Sequence, residues 1–194
     1  MWLTYRGLVT STTGQRLDQL AMVGSMAATP VETSHLRHVL HAVSLPSIAV
    51  AIGVLAVVAV RRQRPELVAA AAATVAGANL TTQALKQWLH RPDLLGLGYA
   101  NSFPSGHVTV VASLAAGALL VGTRRAQPAI AVVGVAATAV TAVATVALGW
   151  HRPSDVLGAV GVVATWTALA SAWAIGRSSA PPPSRRRPAV ESIA

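Results

Sequence analysis

Three short polar segments in an otherwise apolar chain of 194 residues carry the side chains that could do chemistry. In Asn101-Ser102-Phe103-Pro104-Ser105-Gly106-His107, Ser105 is a natural helix N-cap ahead of the uncharged run 108–123. The helix that follows offers free backbone N–H groups and a partial positive charge at its start. Gly106 lets a ligand approach that backbone closely, and His107 stands in the first turn. In Gly149-Trp150-His151-Arg152-Pro153-Ser154-Asp155, Pro153 and Ser154 open a second such helix, with Asp155 in its first turn. A carboxylate there can accept a hydrogen bond from one nitrogen of His151 and leave the other free as a nucleophile. In Lys86-Gln87-Trp88-Leu89-His90-Arg91-Pro92-Asp93, Lys86 and Arg91 add positive charge, as Arg152 does in the segment before. Two helix N-termini plus these cations suit an anion such as phosphate. The matching chemistry is phosphoryl transfer shared by two histidines. One attacks phosphorus and the other protonates the leaving oxygen, a role worth about 10²–10⁴ in rate. That division of labour needs no metal and no cofactor.

The elements that must position these segments are apolar. The chain is 53% hydrophobic and 11% charged, where a soluble domain is about 25% charged. Five runs lack Asp, Glu, Lys, Arg and His: 42–60, 67–85, 108–123, 126–150 and 156–176. A bilayer crossing takes about 20 residues, or about 17 at the low end. The expected fold is therefore all-α, a polytopic transmembrane bundle of about five spanning helices. Residues 1–41 read as an extramembrane or interfacial segment, 42–176 as the membrane domain, and 177–194 as a disordered basic cytoplasmic tail. The formal charge of +9 would suggest nucleic acid in a soluble protein. Here the basic residues sit in clusters between apolar runs, so topology explains them and no nucleic-acid partner is expected. Nine of the fifteen, at Arg61, Arg62, Arg64, Arg124, Arg125, Arg177 and 185–187, fall on one side if all five runs span. The positive-inside rule makes that side cytoplasmic and puts the three polar segments on the extracytoplasmic face. Trp88, Trp150 and Trp173 fall near the edges of the belt, Trp166 reads as a packing residue, and Gly158 and Gly161 as sites of close helix contact. His35, His38 and His41 recur every third residue, which an interfacial helix explains better than a metal site. The absence of cysteine excludes disulfides and thiol nucleophiles.

Taken together, the three polar segments resemble the signature motifs of the type 2 phosphatidic acid phosphatase family, membrane lipid-phosphate phosphatases that share a fold with vanadium haloperoxidases. Pro104–His107 matches the family's middle motif in full, and His151 with Asp155 matches the end of its third. Lys86, Arg91 and Pro92 match its first motif loosely. The resemblance covers about residues 42–176. It implies that His151 is the nucleophile, that Asp155 orients it and that His107 is the general acid. It also implies that Lys86, Arg91, Ser105 and the Gly106 backbone bind phosphate. The implied activity is metal-independent hydrolysis of a lipid phosphate monoester or diphosphate through a phosphohistidine. Candidates are polyprenyl diphosphate, phosphatidic acid and phosphatidylglycerophosphate, with the bilayer as the other partner. The chain departs from the family's motifs in two places, and in a third respect it shows five apolar runs where the family commonly has six spans. Four residues separate Lys86 from Arg91 where the family usually has six, and Ala144-Thr145 stand where it has Ser-Arg. Arg152 is the residue placed to compensate. The alternative is a membrane protein that binds lipid phosphate without turnover.

Overall fold

A computed structural model describes residues 1–26, 30–41, 45–98 and 100–178. Among them the chain is entirely helical outside its loops. A short start, α1 (Trp2–Thr4), runs into a π-helical turn at Tyr5–Val9. It is followed by α2 (Thr12–Gly24), α3 (Pro30–His41), α4 (Leu45–Arg61), α5 (Pro65–Trp88), α6 (Gly106–Val121), α7 (Gln127–Ala147) and α8 (Pro153–Ser178). Several boundaries are set by residues whose physics is local. Pro65 and Pro153 open α5 and α8, where a missing N–H costs nothing. Gly149, at φ +68°, takes the left-handed turn that ends α7.

The core is built around α5, which packs against α6 and α8, while α6 also packs against α7. Small side chains let these helices approach closely. Ala70 meets Ala170 and Ala174, and Ala78 meets Val162 and Val163. A Cβ on Gly77 would overlap the Trp166 ring, whose Nε1 donates to Thr81 Oγ1 at 3.0 Å. Trp166 is therefore a packing residue, as expected. Buried polar groups are paired across helices: Thr82 with Thr109 at 3.0 Å, and Asn79 donating to Ser113 at 3.1 Å. The two glycines expected at helix contacts serve other neighbours. Gly158 receives the Phe103 ring, and Gly161 faces Met1.

The bundle has two distinct poles. At one, the backbone N–H of Ser105 donates to the carbonyl of Asp155 at 2.9 Å, so the first turns of α6 and α8 lie side by side. The last turn of α5 ends there too. At the other, Arg62 donates to the carbonyls of Val121 and Gly122, capping the end of α6. The helical class agrees with the sequence; the number of full crossings does not follow as simply. Two helices, Gln127–Ala147 and Pro153–Arg177, are long and apolar enough to cross a membrane by length and composition. α6 is shorter, and α5 has the length but carries Asn79, Thr81, Thr82 and Gln83 in its second half. α8 continues through Ser178, so Arg177 belongs to the helix and not to a tail. The rest of the tail expected at 177–194 lies outside the described residues.

Candidate active site

Each polar segment is held by short-range hydrogen bonds to backbone groups. Ser105 is fully buried, and its Oγ accepts from the Val108 N–H, the N-cap its position predicts. Its carbonyl takes both the N–H and the hydroxyl of Thr109. In the third segment the N–H groups of Trp150 and His151 both donate to the carbonyl of Thr145, at 3.0 and 3.1 Å. Thr145, the residue standing in place of an expected arginine, is thus fully buried and holds the turn that presents His151. The first segment is closed by Asn101, whose Nδ2 donates to the carbonyl of Leu89 at 2.8 Å.

These turns bring together most of the residues singled out from the sequence. His107 and His151 have ring centroids 6.3 Å apart in an edge-on arrangement, and Trp150 lies 5.8 Å from His107. His151 Nδ1 sits 3.3 Å from Asp155 Oδ2. Asp155 is fully buried, and its Oδ2 also accepts from the Arg152 N–H at 3.0 Å and from the Ser102 hydroxyl. Lys86 reaches the start of α6: a Cβ on Gly106 would stand 3.6 Å from its Nζ. Burial pushes the Lys86 ammonium below its ordinary pKa, and the charge of Asp155 opposes that. The His107 imidazole is also held below its ordinary range, by burial first and then by His151 and Lys86.

The arginines are placed less simply. Arg91 is buried, and its Nη2 donates to Asp155 Oδ1 at 2.6 Å and to Ser154 Oγ at 3.2 Å. Its Nε is buried with no hydrogen-bond partner among the described residues. Arg152 is buried too, with its Nε donating to Gln19 Oε1 at 3.4 Å. Arg91 therefore touches the carboxylate that supports His151, which its motif did not indicate.

Sequence reasoning missed one member of this group. Asp18 of α2 is almost fully buried and accepts from the backbone N–H of Ser154 at 2.8 Å and from its hydroxyl. It also lies 3.5 Å from Arg91 Nη1. Ser154 was expected to cap α8; instead the cap is Asp18, from 136 residues away. The N-terminus of α8, read as an open anion site, is filled by Asp18 and Asp155. The available signal was a lone carboxylate in the mildly apolar stretch 17–30. The same N-terminal segment binds the first polar loop, through Tyr5 to the His90 carbonyl at 2.6 Å and Gln15 to the Pro92 carbonyl at 2.6 Å. Elsewhere, His38 Nδ1 lies 2.7 Å from the Ser34 carbonyl, and no three metal-ligating side chains cluster among the described residues.

A family model described as the PAP2 superfamily matches residues 39–178. No match exists among curated proteins, and none among solved structures.

Proposed function

Because the chain belongs to the PAP2 superfamily, whose model spans more than two thirds of it, we propose that it hydrolyses a lipid phosphate monoester or diphosphate through a phosphohistidine. Family membership supports a phosphatase acting on phosphate esters. The observation that carries the finer reading is the pairing of His151 with Asp155 beside His107. With Nδ1 turned to the carboxylate, Nε2 of His151 is the free nucleophile. It attacks phosphorus, the bond from phosphorus to the lipid oxygen breaks, and His107 gives that oxygen its proton. Water then attacks the phosphohistidine, His107 takes the proton back, and inorganic phosphate leaves. The phosphate oxygens are met by Lys86, the Ser105 hydroxyl and the backbone N–H of Gly106 at the start of α6. Arg91 adds positive charge through a guanidinium whose Nε has no partner among the described residues, and Arg152 adds its charge from the neighbouring turn.

Two features favour a lipid. α7 and α8 turn large apolar side chains outward, among them Val132, Val135, Val143, Leu169 and Ile175. A surface of that kind belongs against hydrocarbon. A cavity of about 500 Å³ lies between α4, α5 and α6, lined by Ile52, Leu55, Val68, Val75, Asn79 and Val110. Its near end is one to two helical turns from the site: Val110 is three residues past His107, and Asn79 seven before Lys86. At about 1.5 Å per residue that is roughly 5 and 10 Å. An acyl or prenyl chain fits there while its phosphate sits between the histidines. With five crossings, the site opens on the extracytoplasmic face of the cell membrane.

The test is phosphate release by purified protein from polyprenyl diphosphate, phosphatidic acid and phosphatidylglycerophosphate in the presence of EDTA. One of them is turned over, and His151→Ala abolishes turnover; full activity in that variant would sink the nucleophile assignment. Thr145, in place of an arginine, favours a second reading as a binder without turnover. Trapping phosphate on His151 excludes that reading.

A further inference from the structure

We infer that the N-terminal segment completes the catalytic site: Asp18 on α2 is a positioning residue that shares Arg91 with Asp155 and so leaves Asp155 its negative charge for His151. The inference rests on the phosphatase reading above and adds to it a residue from outside the three polar segments and outside the matched region.

The argument is one of charge. Attack by Nε2 leaves the His151 ring cationic, with its proton on Nδ1 facing Asp155 Oδ2. A negative charge waiting there stabilises the transition state without reorganisation. Arg91 donates to Asp155 Oδ1 at 2.6 Å, and that pair alone is neutral. A second carboxylate changes the sum. Asp18, 3.5 Å from the other amino group of Arg91, brings the group to two carboxylates and one guanidinium. Within this trio one negative charge is left beside the ring; burial raises the Asp18 pKa, and its hydrogen bonds from Ser154 oppose that rise. Asp18 also fixes the geometry, since it binds the N–H and hydroxyl of Ser154, the neighbour of Asp155 in the first turn of α8. A carboxylate at a helix N-terminus is favourable in its own right.

The position of α2 is held by more than Asp18. Tyr5 and Gln15 bind the loop that carries Arg91, and Gln19 accepts from Arg152. The Tyr5 ring packs 5.7 Å from Phe103, next to the Pro104–His107 turn. All three polar segments are therefore touched by residues 1–24. From the sequence this segment read only as an extramembrane or interfacial stretch.

The test uses the full chain in detergent micelles, with the lipid phosphate that turns over fastest and with orthovanadate as a transition-state probe. Asp18→Asn keeps the shape and an acceptor for Ser154 but removes the charge. It is expected to lower kcat about tenfold, less than loss of a group that touches the reacting atoms, while KM stays within about twofold. Orthovanadate inhibition should weaken by a similar factor. Asp18→Glu keeps the charge and is expected to recover at least half of the wild-type kcat. Thermal melting of both variants accompanies the kinetics. Wild-type kcat in a folded Asp18→Asn protein overturns the inference. So does equal loss in both variants alongside lowered melting, which marks a merely structural residue. If Asp18→Asn does not fold, Asp18→Glu decides: folded and active supports the inference, folded and inactive overturns it. A wild-type chain that neither releases phosphate nor binds orthovanadate removes the phosphatase reading and this one with it. An active wild type with an indifferent Asp18→Asn removes this one alone.

Discussion

In the mechanism we propose, His107 gives up a proton as the leaving oxygen departs, yet its imidazole is held below its ordinary pKa, by burial first and then by His151 and Lys86. A phosphate dianion entering beside it reverses that field and favours the imidazolium. The sign follows directly. In the free enzyme the acid form of His107 is lost at a lower pH than in the complex. The alkaline limb of kcat/KM, which reports the free enzyme, therefore falls at lower pH than the alkaline limb of kcat. Coincident limbs, or an unchanged alkaline limb in His107→Gln, remove His107 as the acid. The histidines, Asp155 and the Ser105 cap were legible in the sequence, because each sits within a few residues of the turn that aims it. Asp18 was not. Its partners are 73 and 136 residues away, at Arg91 and Ser154, and no local spacing encodes a contact of that range. For the same reason the sequence allowed Arg91 to be read as a phosphate ligand only, without its tie to Asp155.

Among the elements, α8 does two jobs that its sequence states unevenly. Pro153 and Asp155 announce its start, and its small residues announce close packing. What packs there was not legible, since the partner of Gly158 is the Phe103 ring, a loop residue and not a helix. Phe103 is fully buried and stands two residues before Ser105. Gly158 thus fixes the height at which the start of α6 meets the start of α8. Gly158→Ala forces a methyl into the ring, and overpacking of this kind costs about 1–3 kcal/mol. The expected outcome is a lower melting temperature together with a fall in kcat, because any retreat of Phe103 drags Ser105 and Gly106 from the phosphate. A variant with lowered melting but wild-type kcat would show that the turn is set by the Ser105–Asp155 backbone bond alone. The contrast is Gly77, where a Cβ overlaps Trp166 in mid-bundle. Gly77→Ala should lower stability by a similar amount and leave kcat close to wild type, provided the melt is complete only above the assay temperature.

Across the whole molecule, charge is distributed by pole. Arg61, Arg64, Arg124, Arg125 and Arg177 are exposed away from the histidines, while Arg91 and Arg152 are buried beside them. Arg62 is committed to the end of α6, a packing role that charge counting alone does not reveal. The helical class was legible from five uncharged runs. The crossings were less so, because a run free of charge counts the same whether it ends in valines, like α7, or in Asn79, Thr81 and Thr82, like α5. The orientation we propose rests on this charge bias, with the pole richer in exposed arginine cytoplasmic and the site outward. The chain has no cysteine, so a single introduced thiol reports its own side without background. Leu94 is exposed in the loop after Arg91, and Thr123 is exposed in the turn after α6. On intact cells a membrane-impermeant maleimide should label Leu94→Cys, and it should label Thr123→Cys only after permeabilisation. The reverse pattern would move the histidines to the cytoplasmic face and exclude a substrate confined to the outer leaflet. Labelling of both thiols on intact cells would mean that α6 does not separate the two poles across a bilayer, and the apolar faces of α7 and α8 would then need another partner to cover them.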